Sequence, residues 1–203
     1  VRCVRCVRGA GLVQLFTIGC DRLKQGRNFK KAEAGPLLPT YDQPVLKNVP
    51  RARSGWTYPT QPGQQPQSRN QDYFVGLMEP RPTRHDAGAK TLFNGITLPA
   101  AQSVTKDMED VIAAVFTHPN AAPFLATRLI RSLVTSNPTP AYIQRVATVF
   151  ADNGQGVRGD LKAVLMAILT DPDAALAAAG DGRLRDPILH VACLLYTSPS
   201  PQD

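Results

Sequence analysis

The stretch His85-Asp86-Ala87-Gly88-Ala89-Lys90 sets an imidazole beside a carboxylate, with an ammonium four residues beyond the acid. A carboxylate can orient an imidazole as a general base, and the same groups could contribute metal ligands. The competing reading is an ion pair that pins a loop to its neighbours. No nucleophile sits in a recognisable elbow, and His118 and His190 stand alone in the sequence. His85, Asp86 and Lys90 are therefore the catalytic candidates.

Three further residues are candidates for binding. Arg128 and Arg131 fall with Phe124 on the face of a predicted helix opposite its main apolar stripe, where they could hold an acidic group or lie in solvent. Trp56, the one tryptophan, follows Gly55 and is either an anchor closing a core beside a turn or a stacking surface for a ligand. Cys3 and Cys6 form a C-x-x-C, but a zinc site needs two more ligands and Cys20 and Cys193 have no comparable spacing. No metal and no cofactor is expected. Arg158-Gly159-Asp160 reads as the start of a helix, with Asp160 favourable near its N-terminal dipole.

The elements that must position these groups are clearest between residues 105 and 172. Met108, Val111, Ile112, Val115 and Phe116 recur at helical spacing, as do Leu125, Ala126, Leu129, Ile130 and Leu133. Ile143, Val146, Ala147 and Phe150 form a third stripe, and Leu161, Val164, Leu165, Ile168 and Leu169 a fourth. Pro119-Asn120, the Pro-rich 137–140 stretch, Asp152-Asn153-Gly154 and Asp171-Pro172 punctuate them. Four amphipathic helices joined by short connections predict antiparallel neighbours sharing one core.

Before them the chain is less regular. An apolar run over 12–19 ends at Gly19, and 20–39 is rich in Lys, Arg, Gly and Pro and reads as a loop. A helix over 41–53 would bury Val45, Leu46 and Val49, with Pro50 making it short or kinked. Residues 60–70 are Gln/Pro-rich and read as an exposed loop, and Tyr73-Phe74-Val75 with Leu92-Phe93 could form a small hairpin. After the Ala/Gly-rich 174–182 stretch, Pro187 opens a last helix. The expected fold is mainly α: an antiparallel helical bundle with a long irregular N-terminal region and room for one short β-hairpin. Its parts are 1–11, a non-native or disordered end; 12–100, loop-rich; 101–192, the bundle; and 193–203, a tail resembling translated sequencing adaptor.

The formal net charge is +7 over 203 residues. Residues 1–53 hold eleven Lys and Arg against three Asp and Glu, and the remainder twelve against thirteen, so the basicity belongs to the N-terminal quarter. A nucleic-acid partner is not expected of a bundle so close to neutral. No uninterrupted apolar run approaches 18 residues, so no transmembrane segment is expected.

The ordered motifs resemble a bacterial family known as domain of unknown function 1800. They include Gly55-Trp56-Thr57, Met78-Glu79-Pro80, His85-Asp86-x-Gly88-Ala89-Lys90, and His118-Pro119-Asn120-x-Ala122-Pro123-Phe124. Arg128-Leu129-Ile130, Leu133-Val134-Thr135-Ser136-Asn137-Pro138 and Asn153-Gly154-x-Gly156-Val157-Arg158-Gly159-Asp160-Leu161 continue the series, which spans about residues 12 to 191. Family members are about twice this length or more, so the resemblance implies a C-terminal half. It also implies an exported bacterial protein, periplasmic or extracellular, often encoded beside a second family that resembles sulfatases and phosphatases. It carries over no catalytic residues.

Three functions follow from these readings. The leading one is a non-catalytic binding or assembly module of the cell envelope. Its rival is a hydrolase of an envelope or extracellular polymer, with His85 and Asp86 as general-base pair and Lys90 or Arg128 holding an anion. That rival requires the three groups to converge in a concave pocket, whereas the module leaves them scattered or locked in salt bridges. The third is a basic nucleic-acid binder acting through residues 1–53.

Overall fold

The computed structural model describes residues 17–23, 39–175 and 187–197. The Cys3/Cys6 pair, most of the basic N-terminal quarter and residues 198–203 lie outside them. Helices dominate: α1 is Gln43–Ala52, α2 Val104–Thr117, α3 Ala121–Leu133, α4 Pro140–Ala151, α5 Leu161–Leu169, α6 Pro172–Ala175 and α7 Pro187–Thr197. The mainly α expectation holds. Two small antiparallel pairs join β1 (Trp56–Thr57) to β2 (Glu79–Pro80) and β3 (Lys90–Thr91) to β4 (Thr97–Leu98).

The chain forms two compact units, divided between Leu125 and Ala126 inside α3. α1 packs against both α2 and β3, and all three belong to the first unit. The four predicted helices thus fall in two units.

In the first unit, Asp42 caps α1 by accepting from the Val45 amide at 3.0 Å. Pro50 lies in the last turn and the helix ends two residues later, short as expected. Val45 and Val49 are buried, while Leu46 is only half-buried. Val45 and Val49 meet Ile18, Leu92, Phe93, Leu98 and Val111 in one apolar cluster. The β3–β4 pair is a hairpin turned through Phe93–Gly95, with Asn94 at φ 54. Leu92-Phe93 therefore lies in its turn, and Tyr73-Phe74-Val75 belongs to no strand.

Ser103 caps α2, accepting from the Lys106 amide. The buried face of α2 is Val104, Asp107, Val111, Ala114 and Val115. Ile112 and Phe116, expected to face inward, are 60% and 42% exposed. The apolar stripe alone misjudges the rotation because one inward position carries a carboxylate.

In the second unit, Thr139 and Pro140 start α4, which buries Tyr142, Ile143, Val146, Ala147 and Phe150. Asp160 caps α5 by accepting from the amides of Lys162 and Ala163. Of the predicted α5 stripe only Val164 and Ile168 are buried; Leu161, Leu165 and Leu169 are exposed. The Tyr142 hydroxyl donates to the Ile168 carbonyl at 2.6 Å, tying α4 to the end of α5. Asp171 takes two bonds from Arg145 at 2.6 and 2.7 Å. The last helix runs to Thr197, into the 193–203 stretch read as a tail.

Candidate functional site

His85 and Lys90 converge on a residue that the spacing of the motif does not announce. Asp107, on the buried face of α2, accepts from Lys90 Nζ at 2.6 Å and meets His85 Nε2 at 3.0 Å, both through Oδ2. The side chains of His85, Lys90 and Asp107 are 3%, 1% and 0% exposed. Oδ1 of Asp107 is buried with no hydrogen-bond partner.

The imidazole is held at its other nitrogen too. Nδ1 lies 3.0 Å from the Ser54 carbonyl and 3.2 Å from Ser54 Oγ. Ser54 Oγ donates to the Arg51 carbonyl at 2.6 Å and accepts from the Asp86 amide at 2.9 Å. Each ring nitrogen thus faces an acceptor inside the protein. Both nitrogens are within hydrogen-bonding distance of groups of the protein itself.

Asp86 turns the other way. Its two oxygens accept from Arg51 Nε at 2.7 Å and Nη2 at 3.0 Å, a bidentate pair, and Oδ1 also accepts from the Gly88 amide at 3.0 Å. The Arg51 hydrogen bond, followed by that of Gly88, lowers the Asp86 carboxyl to about 2. Arg51 is raised in turn, chiefly by the same bond. The absence of a side chain at Gly88 leaves room for this pair: a Cβ would stand 2.8 Å from Arg51 Nη2 and push the guanidinium aside. Neighbours in sequence, His85 and Asp86 therefore serve different partners, and Asp86 does not orient the ring.

Local chain geometry explains why the motif folds this way. Gly55 adopts φ +88, and a Cβ there would sit 3.1 Å from both the Arg81 carbonyl oxygen and His85 Cβ. This close approach brings the segment that ends α1 against the His85 turn. The Arg81 amide donates to the Gly55 carbonyl at 2.6 Å, next to the β1–β2 pair. Lys90 enters through β3, and α2 supplies Asp107. Asp107 was legible in one respect: a carboxylate three residues after Val104 and four before Val111 sits on an otherwise apolar helix face. Arg51 and Ser54 carried no comparable signal.

The binding candidates stand on separate elements, Trp56 on β1 and the two arginines on α3. Trp56 stands in β1, half-buried, with its indole Nε1 buried and lacking a hydrogen-bond partner. Arg128 and Arg131 are exposed on α3, and Arg131 Nε donates to the Ser136 carbonyl at 3.1 Å. Among the described residues no three His, Cys, Asp or Glu side chains are grouped so as to hold a metal ion.

Two other motifs are structural clasps. Asn120 donates to the carbonyls of Ile18 at 2.8 Å and Asp21 at 2.7 Å, and accepts from the Leu23 amide at 2.7 Å. His118, beside it, accepts from the Asn120 amide through Nδ1 at 3.1 Å and meets the Phe93 ring edge-on. Burial, with a smaller push from Arg22, lowers His118 to about 4. In the second unit the Arg158 guanidinium lies over the Phe150 ring and the Gly159 amide donates to the Phe150 carbonyl. With Asp160 capping α5, the Arg-Gly-Asp tripeptide is part of the helix start.

Asn120, His118 and the Arg158-Gly159-Asp160 turn all lie in the quoted motifs. The family model described as "Protein of unknown function (DUF1800)" matches residues 12–201, nearly the whole chain, and the chain belongs to that family. The match runs to residue 201, beyond the extent of about 12 to 191 read from the motifs. No curated protein and no solved structure matches it.

Proposed function

We propose that this protein is a non-catalytic binding or assembly module of the bacterial cell envelope. One observation carries the reading: the side chains best suited to acid–base chemistry, His85 and Lys90, are spent on the buried carboxylate of Asp107. A general base must reach the proton it abstracts, directly or through one water. His85 has 3% of its side chain exposed and an internal acceptor at each nitrogen, and Asp86 is occupied by Arg51. A buried, mutually paired charge cluster of this kind fixes segments of the chain to one another, which favours binding over hydrolysis.

The envelope location, periplasmic or extracellular, rests on the habit of the family, as does the partner: the sulfatase-like protein encoded beside many members. No helix among the described residues is long and apolar enough to cross a membrane. The test is calorimetric titration of this protein into its sulfatase-like neighbour, beside turnover assays on sulfate esters, phosphate esters and envelope polysaccharides. Saturable binding with no turnover by this chain is expected. Turnover that disappears in a folded His85→Ala variant would restore the hydrolase reading, and affinity for duplex DNA that falls with salt would favour the basic binder.

A further inference from the structure

The loop between Tyr58 and Met78 is built as firmly as a core element, yet it turns its side chains outward. Asn70, buried, holds it from within: its Nδ2 donates to the Tyr58 carbonyl at 2.7 Å and to Thr60 Oγ1 at 3.0 Å, and its Oδ1 accepts from the Gln67 amide at 2.9 Å. Glu79 accepts from the Thr60 amide at 2.8 Å and hydroxyl at 2.9 Å, and Arg81 donates to the Gln67 carbonyl at 2.8 Å. The surface so fixed carries the amides of Gln61, Gln64, Gln65, Gln67 and Gln71 around a hollow of about 30 Å³.

An aromatic surface borders it. Phe74 meets Tyr58 edge-on, with ring centroids 5.2 Å apart, and remains 77% exposed. Val75 and Leu77 beside it are 70% and 88% exposed. Arg69 and Asp72 are the only charges between residues 58 and 78.

We infer that this loop binds a neutral polysaccharide. A sugar ring has apolar C–H faces that cover an aromatic or aliphatic side chain, and a rim of hydroxyls that both donate and accept. A primary amide also donates and accepts, so a row of glutamines matches hydroxyls without requiring charge on the ligand. A bilayer would accept Phe74 and Leu77 but would leave the neighbouring amides to be stripped of water. A hollow this small takes a hydroxymethyl group and not a whole ring, so the polymer lies across the loop.

This inference rests on the binding-module reading and names its ligand class. The test is native electrophoresis of the full chain in gels containing dissolved galactomannan, hydroxyethyl cellulose or dextran, with binding to the sulfatase-like neighbour measured alongside. The wild type should be retarded by at least one polymer, and Phe74→Ala with Gln64→Ala should weaken that affinity at least tenfold. Ile112→Thr, on an exposed part of α2, should migrate as wild type does. Phe74 and Gln64 are exposed, and circular dichroism confirms that the double variant folds. Absence of retardation in all three gels, or equal retardation of the double variant, overturns the inference. So does Phe74-dependent sedimentation with phosphatidylglycerol/phosphatidylethanolamine vesicles, or Phe74-dependent capture of the neighbour, without polysaccharide binding. A chain that keeps its neighbour but ignores every polysaccharide sinks this surface alone, whereas turnover sinks the reading beneath it.

Discussion

His118 and Asn120 illustrate how single side chains hold this molecule. The Asn120 amide contributes three hydrogen bonds to the 18–23 segment, and its backbone N–H is in turn bonded to the His118 ring. Nδ1 of His118 must keep its lone pair to accept that N–H. Native His118 takes up its proton near pH 4, whereas an unfolded histidine does so near 6.5. Between these values the unfolded chain binds more protons, so stability is complete above about pH 6.5 and falls as pH drops toward 4. A loss of about 3 kcal/mol over this window is expected from His118. Urea unfolding at pH 7 and pH 4.5 checks it: wild type should lose more stability on acidification than His118→Gln. At this scale the chemical residue types were legible in sequence, but their partners were not. His85-Asp86 looks like a pair because the two are adjacent. Folding sends one side chain to a helix 22 residues on and the other to an arginine 35 residues back.

The helices show where periodicity is reliable. Their existence follows from stripes and from caps such as Ser103, Thr139 and Asp160, all of which accept from amides of the first turn. Their rotation is less secure, because both faces of α2 carry apolar residues and a buried Asp107 shifts the inner stripe toward Val104 and Ala114. This assignment predicts that Val111→Ala costs about 2 kcal/mol, since it hollows the core, while Ile112→Thr stays within about 0.5 kcal/mol of wild type. Chemical denaturation of the two variants distinguishes the observed face from the one the stripe implied. The short strands were harder to foresee: two-residue pairs leave no alternation to read, and β3–β4 depends on Asn94 and Gly95 adopting positive φ.

At the scale of the whole chain, the two units have separate cores, one around Ile18, Val49, Phe93 and Val111, the other between α4 and α5. A sequence of consecutive helical stripes suggests one bundle because nothing in periodicity marks which helices share a core. Tyr142→Phe should cost about 1–3 kcal/mol by leaving the Ile168 carbonyl without its buried donor. Hydrogen exchange should then quicken in α4 and α5 more than in α1 and α2.

In the binding-module reading proposed above, the His85–Asp107–Lys90 cluster serves to hold the fold, and the unfolding free energy of Asp107→Asn in urea at neutral pH tests that role. Taking the carboxylate from between Lys90 and His85 leaves a buried ammonium without its counter-charge, and a loss of about 3–5 kcal/mol is predicted. Active-site residues commonly hold strain or unfavourable charge, and replacing them leaves stability unchanged or raises it. A variant as stable as wild type, or more so, would contradict the structural role and return these residues to candidacy for catalysis.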